Sequence, residues 1–319
     1  MMSIGIVFPA HAPAQALPAF ASRAEALGYE EIWVVEDCFL SGGLTLATAA
    51  LAVTERLRVG VGLLPAAVRN AAIVAMEIAT LGHLYPGRLS VAFGHGVESW
   101  MQQIGARPAR RLGALGEVVT AVRLLLAGET VTTAGSFVTL ASVALERPPA
   151  LAPAILIGTT GPQGIAMAGR RADGLLLPEG CGPTFVAHAK EIAQTPPRPS
   201  GAPLELVVYT WLRIEEDDRA RLALTDAVAH WVGSGLYSGP MREAGIDTSP
   251  EPGAISRDAA DRLAVVGSAE HCAEAVHRFA DAGAERLVLA AIGSDYAQQY
   301  ERFAREVVPG LRDAETATQ

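Results

Sequence analysis

Cysteine is scarce in this chain of 319 residues, which contains only Cys38, Cys181 and Cys272. These residues lie far apart and form neither a CxxC pair nor an even set for a disulfide framework, so we expect reduced thiols. The seven histidines show neither HxH nor HExxH spacing, so sequence-local ligands for a metal ion are missing. We predict no metal site.

Lysine and arginine are also fewer than aspartate and glutamate. The 25 lysines and arginines against 34 aspartates and glutamates leave a net charge of −9 at pH 7, and the basic residues form no stripe. A phosphate backbone would meet no attractive surface, so nucleic acid is not an expected partner. No positive n-region opens the chain, and its apolar stretches are broken before the roughly 18 residues that a membrane span requires. We therefore expect a soluble, cytoplasmic protein with no membrane partner.

Apolar residues are abundant, at 50% of the chain, which suits a core of parallel strands buried on both faces. Short aliphatic runs alternate with longer helical patterns, as in repeated βα units. The predicted strands are residues 3–8, 31–35, 58–63, 89–93, 154–157, 174–177, 204–214 and 286–291. This order predicts one domain, residues 1–319, folded as a (β/α)₈ TIM barrel.

Two segments interrupt the βα rhythm. Residues 130–145, TVTTAGSFVTLASVAL, alternate around Gly135 and predict an inserted hairpin after the fourth βα unit. Residues 233–258 are rich in Gly, Pro and Ser and predict a lid-like excursion before strand eight, although a passive excursion fits the same composition. The Pro-rich residues 195–203 predict a stiff surface connection.

The active site of such a barrel lies at the carboxyl ends of its strands, so the residues that follow each strand are the candidates. They are His11, Glu36, Asp37, Cys38, residues 62–65, Gly94, His95, Gly96, Glu98, residues 158–161, Glu179, Gly293 and Ser294. Gly94 and Gly96 allow the close approach of a flat ligand beside an imidazole; a glycine-rich turn with an exposed histidine is the alternative. As general acid or base we favour His95, then Glu98 or His11, because each can present a proton at this face.

The turn Gly158, Thr159, Thr160 and Gly161 follows a buried strand and opens a helix, whose backbone N–H groups can hold a phosphate. An ordinary turn in which a threonine caps the helix is the alternative.

Three residues after strands two and three complete the candidates. Asp37 can accept hydrogen bonds from a cofactor, and Cys38 is a weak donor or is simply packed. Cys38 is not an expected nucleophile, because the sequence shows no positive group beside it. Arg69 can pair with an anionic tail or remain a surface arginine.

Several segments resemble motifs of the luciferase-like oxidoreductases. Residues 81–89 followed by Gly94, His95 and Gly96 resemble LxxLxxGRxxLGxGxG. Similar matches to PPxxPxxxGxxGP, AGxxADG and the strand-eight unit occur at residues 148–162, 168–174 and 266–284. The resemblance therefore covers nearly the whole chain and implies the barrel fold.

Members of this length with a Gly-Pro turn after strand five most resemble enzymes that use 8-hydroxy-5-deazaflavin (coenzyme F-420), and users of flavin mononucleotide (FMN) are close relatives. The resemblance implies that Asp37 touches the ring, that Gly62 and Leu63 form a non-prolyl cis peptide behind it, and that the turn at 159–161 takes the phosphate. The expected cofactor-binding residues are Asp37, Cys38, Gly62, Leu63, Gly94, Gly96, Gly158, Thr159, Thr160 and Gly161.

The chain departs from the sugar-phosphate dehydrogenases of this family. Cys38 stands where their pattern has a catalytic histidine, and Val97 stands where it has a glutamate. The leading hypothesis is therefore a deazaflavin-dependent reductase acting on a C=C or C=N bond of a small-molecule substrate. An FMN-dependent monooxygenase and a cofactor-free ligand-binding barrel are the alternatives. We also expect a homodimer, because the outer helices need cover.

Overall fold

The computed structural model of the protein describes residues 2–195, 203–215, 218–233, 238–249 and 255–311. Its strands are β1 (Ser3–Val7), β2 (Glu31–Val34), β3 (Arg58–Pro65), β4 (Leu89–Gly94), β5 (Val131–Ala134), β6 (Thr139–Val143), β7 (Ala154–Gly158), β8 (Gly174–Leu177), β9 (Glu205–Ile214), β10 (Val265–Gly267) and β11 (Arg286–Ala291). Its helices are α1 (Leu17–Ala26), α2 (Gly43–Ala52), α3 (Ala71–Leu84), α4 (Glu98–Gln103), α5 (Arg111–Leu126), α6 (Pro162–Arg171), α7 (Pro183–Gln194), α8 (Asp218–Gly233), α9 (Ser238–Glu243), α10 (Arg257–Asp261), α11 (Ala269–Asp281) and α12 (Tyr296–Arg302). A 3-10 turn at Ala14–Ala16 precedes α1, and a π-helical stretch, Phe303–Val307, follows α12.

Eight parallel strands close into a barrel within the described residues. The order around it is β1, β2, β3, β4, β7, β8, β9 and β11, and β11 returns to pair with β1. All eight strands lie where the sequence pattern predicted them, so the (β/α)₈ barrel is confirmed. The sequence did not predict β10, which extends the sheet by pairing with residues 212–214 of the long β9.

The inserted hairpin is also confirmed, because β5 and β6 pair antiparallel in a sheet of their own. The Glu117 side chain of α5 binds the hairpin to this helix. Its carboxylate accepts hydrogen bonds from the backbone N–H groups of Ser136, Phe137 and Val138 at 3.2, 2.8 and 2.8 Å. Those donors lower the pKa of Glu117 to about 2.

Side chains that alternate along the strands fill the barrel interior in layers. At the amino ends of the strands, Arg286 forms ion pairs with the fully buried Glu31 and with Glu205. Above it the Trp33 ring packs in an apolar layer with residues such as Leu176 and Val288. This filling leaves the carboxyl ends of the strands as the open face.

The excursion before β11 packs around a second apolar cluster that includes Trp211, Met241 and Leu263. The Met241 side chain reaches the loop after β8, where its Cε lies 2.9 Å from the position that a Cβ would take on Gly180. The excursion therefore lies against the carboxyl-end face, and its action as a lid stays a prediction. Residues 234–237 and 250–254 of this segment, and 196–202 of the predicted surface connection, lie outside the described residues.

None of the helices in the part of the chain that the structure describes combines the length and the apolar character needed to cross a bilayer.

Candidate functional site

The Leu63 side chain forms the centre of the floor at the carboxyl ends of the strands. The Gly62–Leu63 peptide is cis, as the resemblance implied. A Cβ on Gly94 or Gly158 would stand 2.4 or 2.6 Å from Leu63 Cδ2, so the two glycines leave the room that this side chain fills. The space beside Gly94 is therefore filled by the Leu63 side chain of the protein and not by a flat ligand. The ends of β3, β4 and β7 together form one continuous apolar floor.

A buried hydroxyl group lies beneath this floor. The Tyr209 side chain is 4% exposed, and its hydroxyl has no hydrogen-bond partner among the described residues. The hydroxyl oxygen lies against Gly62, 2.3 Å from where a Cβ on that residue would stand. Burial raises the pKa of Tyr209 well above its ordinary value, so the hydroxyl keeps its proton as a donor. A water molecule or a ligand atom that reaches this buried donor would satisfy it.

Two carboxyl groups stand at the ends of β2 and β8. Asp37 continues the inward alternation of Glu31, Trp33 and Val35, and burial raises its pKa. Glu179 follows β8, where burial, and then the negative charge of Asp37, raise its pKa to about 7. Sequence reasoning placed Glu179 among the strand-end residues but gave it no role, because its raised pKa results from burial in the folded structure.

Among the three predicted proton-transfer residues, His95 and Glu98 lie close to Arg111. Burial and the charge of Arg111 lower the pKa of His95, so its imidazole is neutral at pH 7 and suited to accept a proton. The Glu98 carboxylate is occupied by Arg107 and Arg111, whose nitrogens lie 2.9 and 2.8 Å from its oxygens.

The third candidate, His11, stands apart from this pair. It is exposed after β1, and its ring lies edge-on to Tyr296 of α12 at 6.2 Å between centroids. The structure thus does not gather the three candidates into a single proton-transfer group.

The turn after β7 presents an open helix end. The α6 helix begins at Pro162, with Gly161 as its N-cap, and no described side chain caps it by a hydrogen bond. The structure therefore does not show a threonine side chain capping α6, which was the alternative for this turn. A Cβ on Gly161 would meet no atom within 4 Å, so an anion has room to approach the first-turn N–H groups.

A cleft of about 460 Å³ adjoins this turn and runs between α6, α7 and α9. The residues that line it are Thr160, Gly161, Pro162, Ile165, Phe185, His188, Ala189, Ile192, Gly239, Pro240 and Glu243. The cleft therefore opens beside the first turn of α6.

Arg69 is engaged within the protein. Its guanidinium binds both oxygens of Glu36 at 2.6 and 2.7 Å, and the same carboxylate accepts the N–H of Gly43 at 2.9 Å. This pairing replaces the anionic tail that sequence reasoning considered for Arg69.

Cys38 lies beside that ion pair, and the Cys38–Phe39 peptide is a second non-prolyl cis bond that the sequence did not predict. Burial and the negative charges of Glu36 and Asp37 raise the pKa of Cys38 and outweigh the positive charge of Arg69, which the sequence did not place beside it, so the residue remains a thiol. Gly96, the remaining glycine of the fourth strand end, has φ +67° and packs against Pro65 and Met101.

These groups fit a flat ring with a phosphate-bearing chain. The apolar floor at Leu63 offers one face for stacking, and the carboxyl of Asp37 offers a polar contact. The uncapped end of α6 at Gly161 offers backbone donors to a phosphate.

Comparison with known proteins finds relatives that align with nearly the whole chain. The chain is 22% identical over 326 residues to the 5,10-methylenetetrahydromethanopterin reductase of Methanolobus tindarius, an alignment covering 96% of this chain and 100% of that protein. It is 26% identical over 315 residues to a coenzyme F-420-dependent glucose-6-phosphate dehydrogenase of Intrasporangium calvum, covering 91% and 92%. The structure of the coenzyme F-420-dependent tetrahydromethanopterin reductase of Methanopyrus kandleri superposes with a TM-score of 0.82, at 19% identity, over 97% of this chain and 99% of that one.

A coenzyme F-420-dependent secondary alcohol dehydrogenase superposes with a TM-score of 0.77, at 23% identity, over 98% and 99% of the two chains. At these identities the structural likeness concerns the fold. The model of the family described as luciferase-like monooxygenase matches residues 2–286. Since that match spans most of the chain, and confirms the resemblance of its motifs, the protein belongs to the luciferase-like monooxygenase family.

Proposed function

We propose that the protein is an oxidoreductase that uses 8-hydroxy-5-deazaflavin (coenzyme F-420) to transfer hydride to or from a small organic substrate. The observation that carries this proposal is the Leu63 floor at three strand ends, with the uncapped end of α6 beside it. The bound deazaflavin supplies the hydride, and the protein supplies binding, orientation and a proton.

Each predicted cofactor residue has a task in this proposal. Leu63 supports one ring face, seated on Gly94 and Gly158, while Gly62 leaves room for the hydroxyl of Tyr209. Asp37 and Cys38 border the ring from the end of β2, and Gly96 shapes the turn after β4. The turn at 159–161 binds the phosphate at the end of α6.

The cleft beside this turn favours the deazaflavin over FMN. FMN ends at its phosphate, whereas coenzyme F-420 continues beyond it with an acidic chain that needs space. The cleft of about 460 Å³ that includes Thr160 and Gly161 offers that space next to the proposed phosphate site.

We infer that the favoured reaction is reduction of a C=C or C=N bond. Cys38 and Val97 depart from the sugar-phosphate dehydrogenase pattern, and Asp37 and Glu179 add carboxyl groups after strands β2 and β8, at the carboxyl-end face. Negative charge there disfavours a phosphorylated substrate and favours a neutral or cationic one, such as an imine.

Titration of the purified protein with oxidised deazaflavin and with FMN, followed by tryptophan fluorescence, tests the cofactor proposal. We expect deazaflavin to bind with a micromolar or lower Kd; if neither compound binds below a high-micromolar Kd, the proposal is wrong. Gly161→Asp places a negative charge at the end of α6 and should weaken binding roughly tenfold, within the range of helix-terminus effects. Gly161→Asn, in which the new side chain is neutral and has the same shape, is the matched control. The deazaflavin nucleoside, which lacks the phosphate, should bind wild type and both variants with the same affinity.

The family's monooxygenases make an FMN-dependent oxygenase the second candidate. Oxygen consumption with chemically reduced FMN, compared with anaerobic oxidation of reduced deazaflavin by an organic acceptor, separates the two activities. Cofactor affinity without hydride transfer to any acceptor would favour the third candidate, a ligand-binding barrel.

We also propose that the protein acts in the cytoplasm as a homodimer. The outer face of α3 exposes Ile73, Met76 and Leu84 at 49%, 51% and 59%, three apolar side chains along one helix. Such a stripe is typical of a covered helix face. Light scattering should give a dimer mass for the wild type and a monomer mass for Met76→Glu. Met76→Gln, a neutral side chain of similar shape, is the control. A wild type with the mass of a monomer would contradict the proposal.

A further inference from the structure

The loop of residues 37–42, between β2 and α2, presents Asp37 and Cys38 at the carboxyl-end face of the barrel. The side chains at its tip, Phe39 and Leu40, are 66% and 61% exposed, so burial contributes little to their placement. Inside the loop, the N–H of Leu40 donates to the carbonyl oxygen of Asp37 at 2.8 Å and forms a tight turn. The position of the whole loop therefore depends on the contacts at its base.

Glu36 closes the base of loop 37–42. Its Oε2 accepts a hydrogen bond at 2.9 Å from the N–H of Gly43, the first residue of α2, so the side chain before the loop binds the backbone after it. A Cβ on Gly43 would stand 3.3 Å from Glu36 Cβ and 2.8 Å from Val61 Cγ1, so the glycine leaves room for this approach. Because the two ends are joined, fewer conformations are open to the residues between them.

Arg69 holds the Glu36 carboxylate in place. Its Nη1 and Nη2 donate to Oε1 and Oε2 at 2.6 and 2.7 Å, the bidentate geometry that makes such pairs strong and specific in direction. The Glu36 side chain is only 11% exposed, so water competes little for it. Arg69 directly precedes Asn70, whose side chain caps α3 by accepting the N–H of Ala72 at 2.9 Å. The ion pair therefore connects loop 37–42 to the start of a packed helix.

Arg69 has a second acidic neighbour, Glu77 of α3. The Arg69 Nε lies 3.8 Å from the Glu77 Oε2, which is longer than a hydrogen bond, and the Glu77 side chain is 42% exposed. An exposed ion pair at this distance contributes little to the placement of either group. Glu36 is therefore the partner that fixes the guanidinium, and Glu77 offers a control at the same arginine.

Asp37 continues the inward alternation of β2, so the neighbouring Glu36 points to the helix layer, where it meets Arg69. A backbone movement that displaces one of these adjacent side chains displaces the other. We propose that Arg69 and Glu36 are positioning residues of the site, which fix loop 37–42 so that the Asp37 carboxyl meets the cofactor ring. This assignment rests on the proposed deazaflavin function and goes beyond it by giving a task to a pair outside the barrel interior.

The first test uses the cofactor-free protein and measures amide hydrogen exchange by mass spectrometry of peptides that span residues 36–46. We expect exchange in loop 37–42 and at Gly43 to become at least about tenfold faster in Arg69→Gln, because the Glu36 carboxylate is no longer held against that N–H. Arg69→Lys keeps the charge but not the bidentate contact and should lie between the two. Glu77→Gln should match wild type. Unchanged exchange in Arg69→Gln overturns the proposal.

The second test is a double-mutant cycle on the deazaflavin Kd, measured by tryptophan fluorescence. Arg69→Gln should raise the Kd roughly tenfold, within the range of couplings between neighbouring residues, and Asp37→Ala should raise it at least as much. In the Asp37→Ala background, Arg69→Gln should add nothing further, because no carboxyl group is left to position. Arg23→Gln removes an exposed arginine that pairs with Glu301 at 2.8 Å between α1 and α12, and this matched control should bind as wild type does.

The outcomes of this cycle distinguish failure of the inference from failure of the proposed function. A wild type that binds no deazaflavin overturns the proposed function and the positioning role with it. If wild type binds but Arg69→Gln weakens binding equally with and without Asp37, the ion pair only supports the fold, and the inference alone is overturned. The same holds if Arg69→Gln or Asp37→Ala binds as tightly as wild type. Weaker binding that disappears in the Asp37→Ala background, together with faster exchange in loop 37–42, supports the inference.

Discussion

The raised pKa of Glu179 makes the stability of the cofactor-free protein depend on pH, and Glu179→Gln should remove much of that dependence. In the unfolded chain this carboxyl loses its proton near 4.5, and in the folded protein near 7. Between these values the folded state binds more protons, so the free energy of unfolding falls as pH rises through this window and stays lower above it. Each pKa unit corresponds to about 1.4 kcal/mol, so the full shift sets an upper limit of about 3 kcal/mol.

Urea unfolding followed by tryptophan fluorescence at pH 5, 6, 7 and 8 measures this effect. The free energy of unfolding of Glu179→Gln minus that of wild type should be about 2 to 3 kcal/mol larger at pH 8 than at pH 5. The reason is that the variant has no buried carboxylate to ionise. Constant effects of the substitution cancel in this comparison between pH values. Glu129→Gln controls for the loss of one exposed carboxylate and should follow wild type. A stability difference between wild type and Glu179→Gln that is the same at every pH would refute the reasoning.

Three further perturbations follow from other contacts. Arg286→Met leaves the fully buried Glu31 without its guanidinium and should lower the free energy of unfolding by about 3 to 5 kcal/mol, measured in urea. Gly158→Ala places a methyl group 2.6 Å from Leu63 Cδ2, so it should displace the floor and raise the deazaflavin Kd at least about tenfold, an effect of roughly 1.4 kcal/mol measured by fluorescence. Glu117→Gln should lower the melting temperature at pH 7, with a difference from wild type that shrinks as pH falls from 4.5 towards 2, where the wild-type carboxylate also loses its charge.

The fold was predictable because each βα unit carries its own local pattern. A strand buried on both faces is a short aliphatic run, and the helix that follows shows helical spacing, so both can be recognised without knowing their neighbours. The strand β10 escaped prediction because its residues, Val265–Gly267, are too few to show a period, and its pairing partner lies on β9. The Gly62–Leu63 cis peptide was anticipated only through the family motifs.

The site was predictable in position more than in role. Strand ends meet at one face in every barrel, so Asp37, His95 and the turn at 159–161 were recognised as candidates from their place after a strand. Which of them pair, and which stay open, depends on residues distant in the chain. Arg111 reaches Glu98, and Glu36 binds Arg69.

By itself, the sequence of this protein determined the barrel, the inserted hairpin and the face that carries the site, because these follow from local periodicity and from motif spacing. Only the tertiary structure decided that Leu63 fills the space beside Gly94 and Gly158, and that burial raises the pKa of Glu179 to about 7. The physical reason is that burial and Coulomb interactions depend on distances through space, which barrel closure sets between residues far apart in the chain.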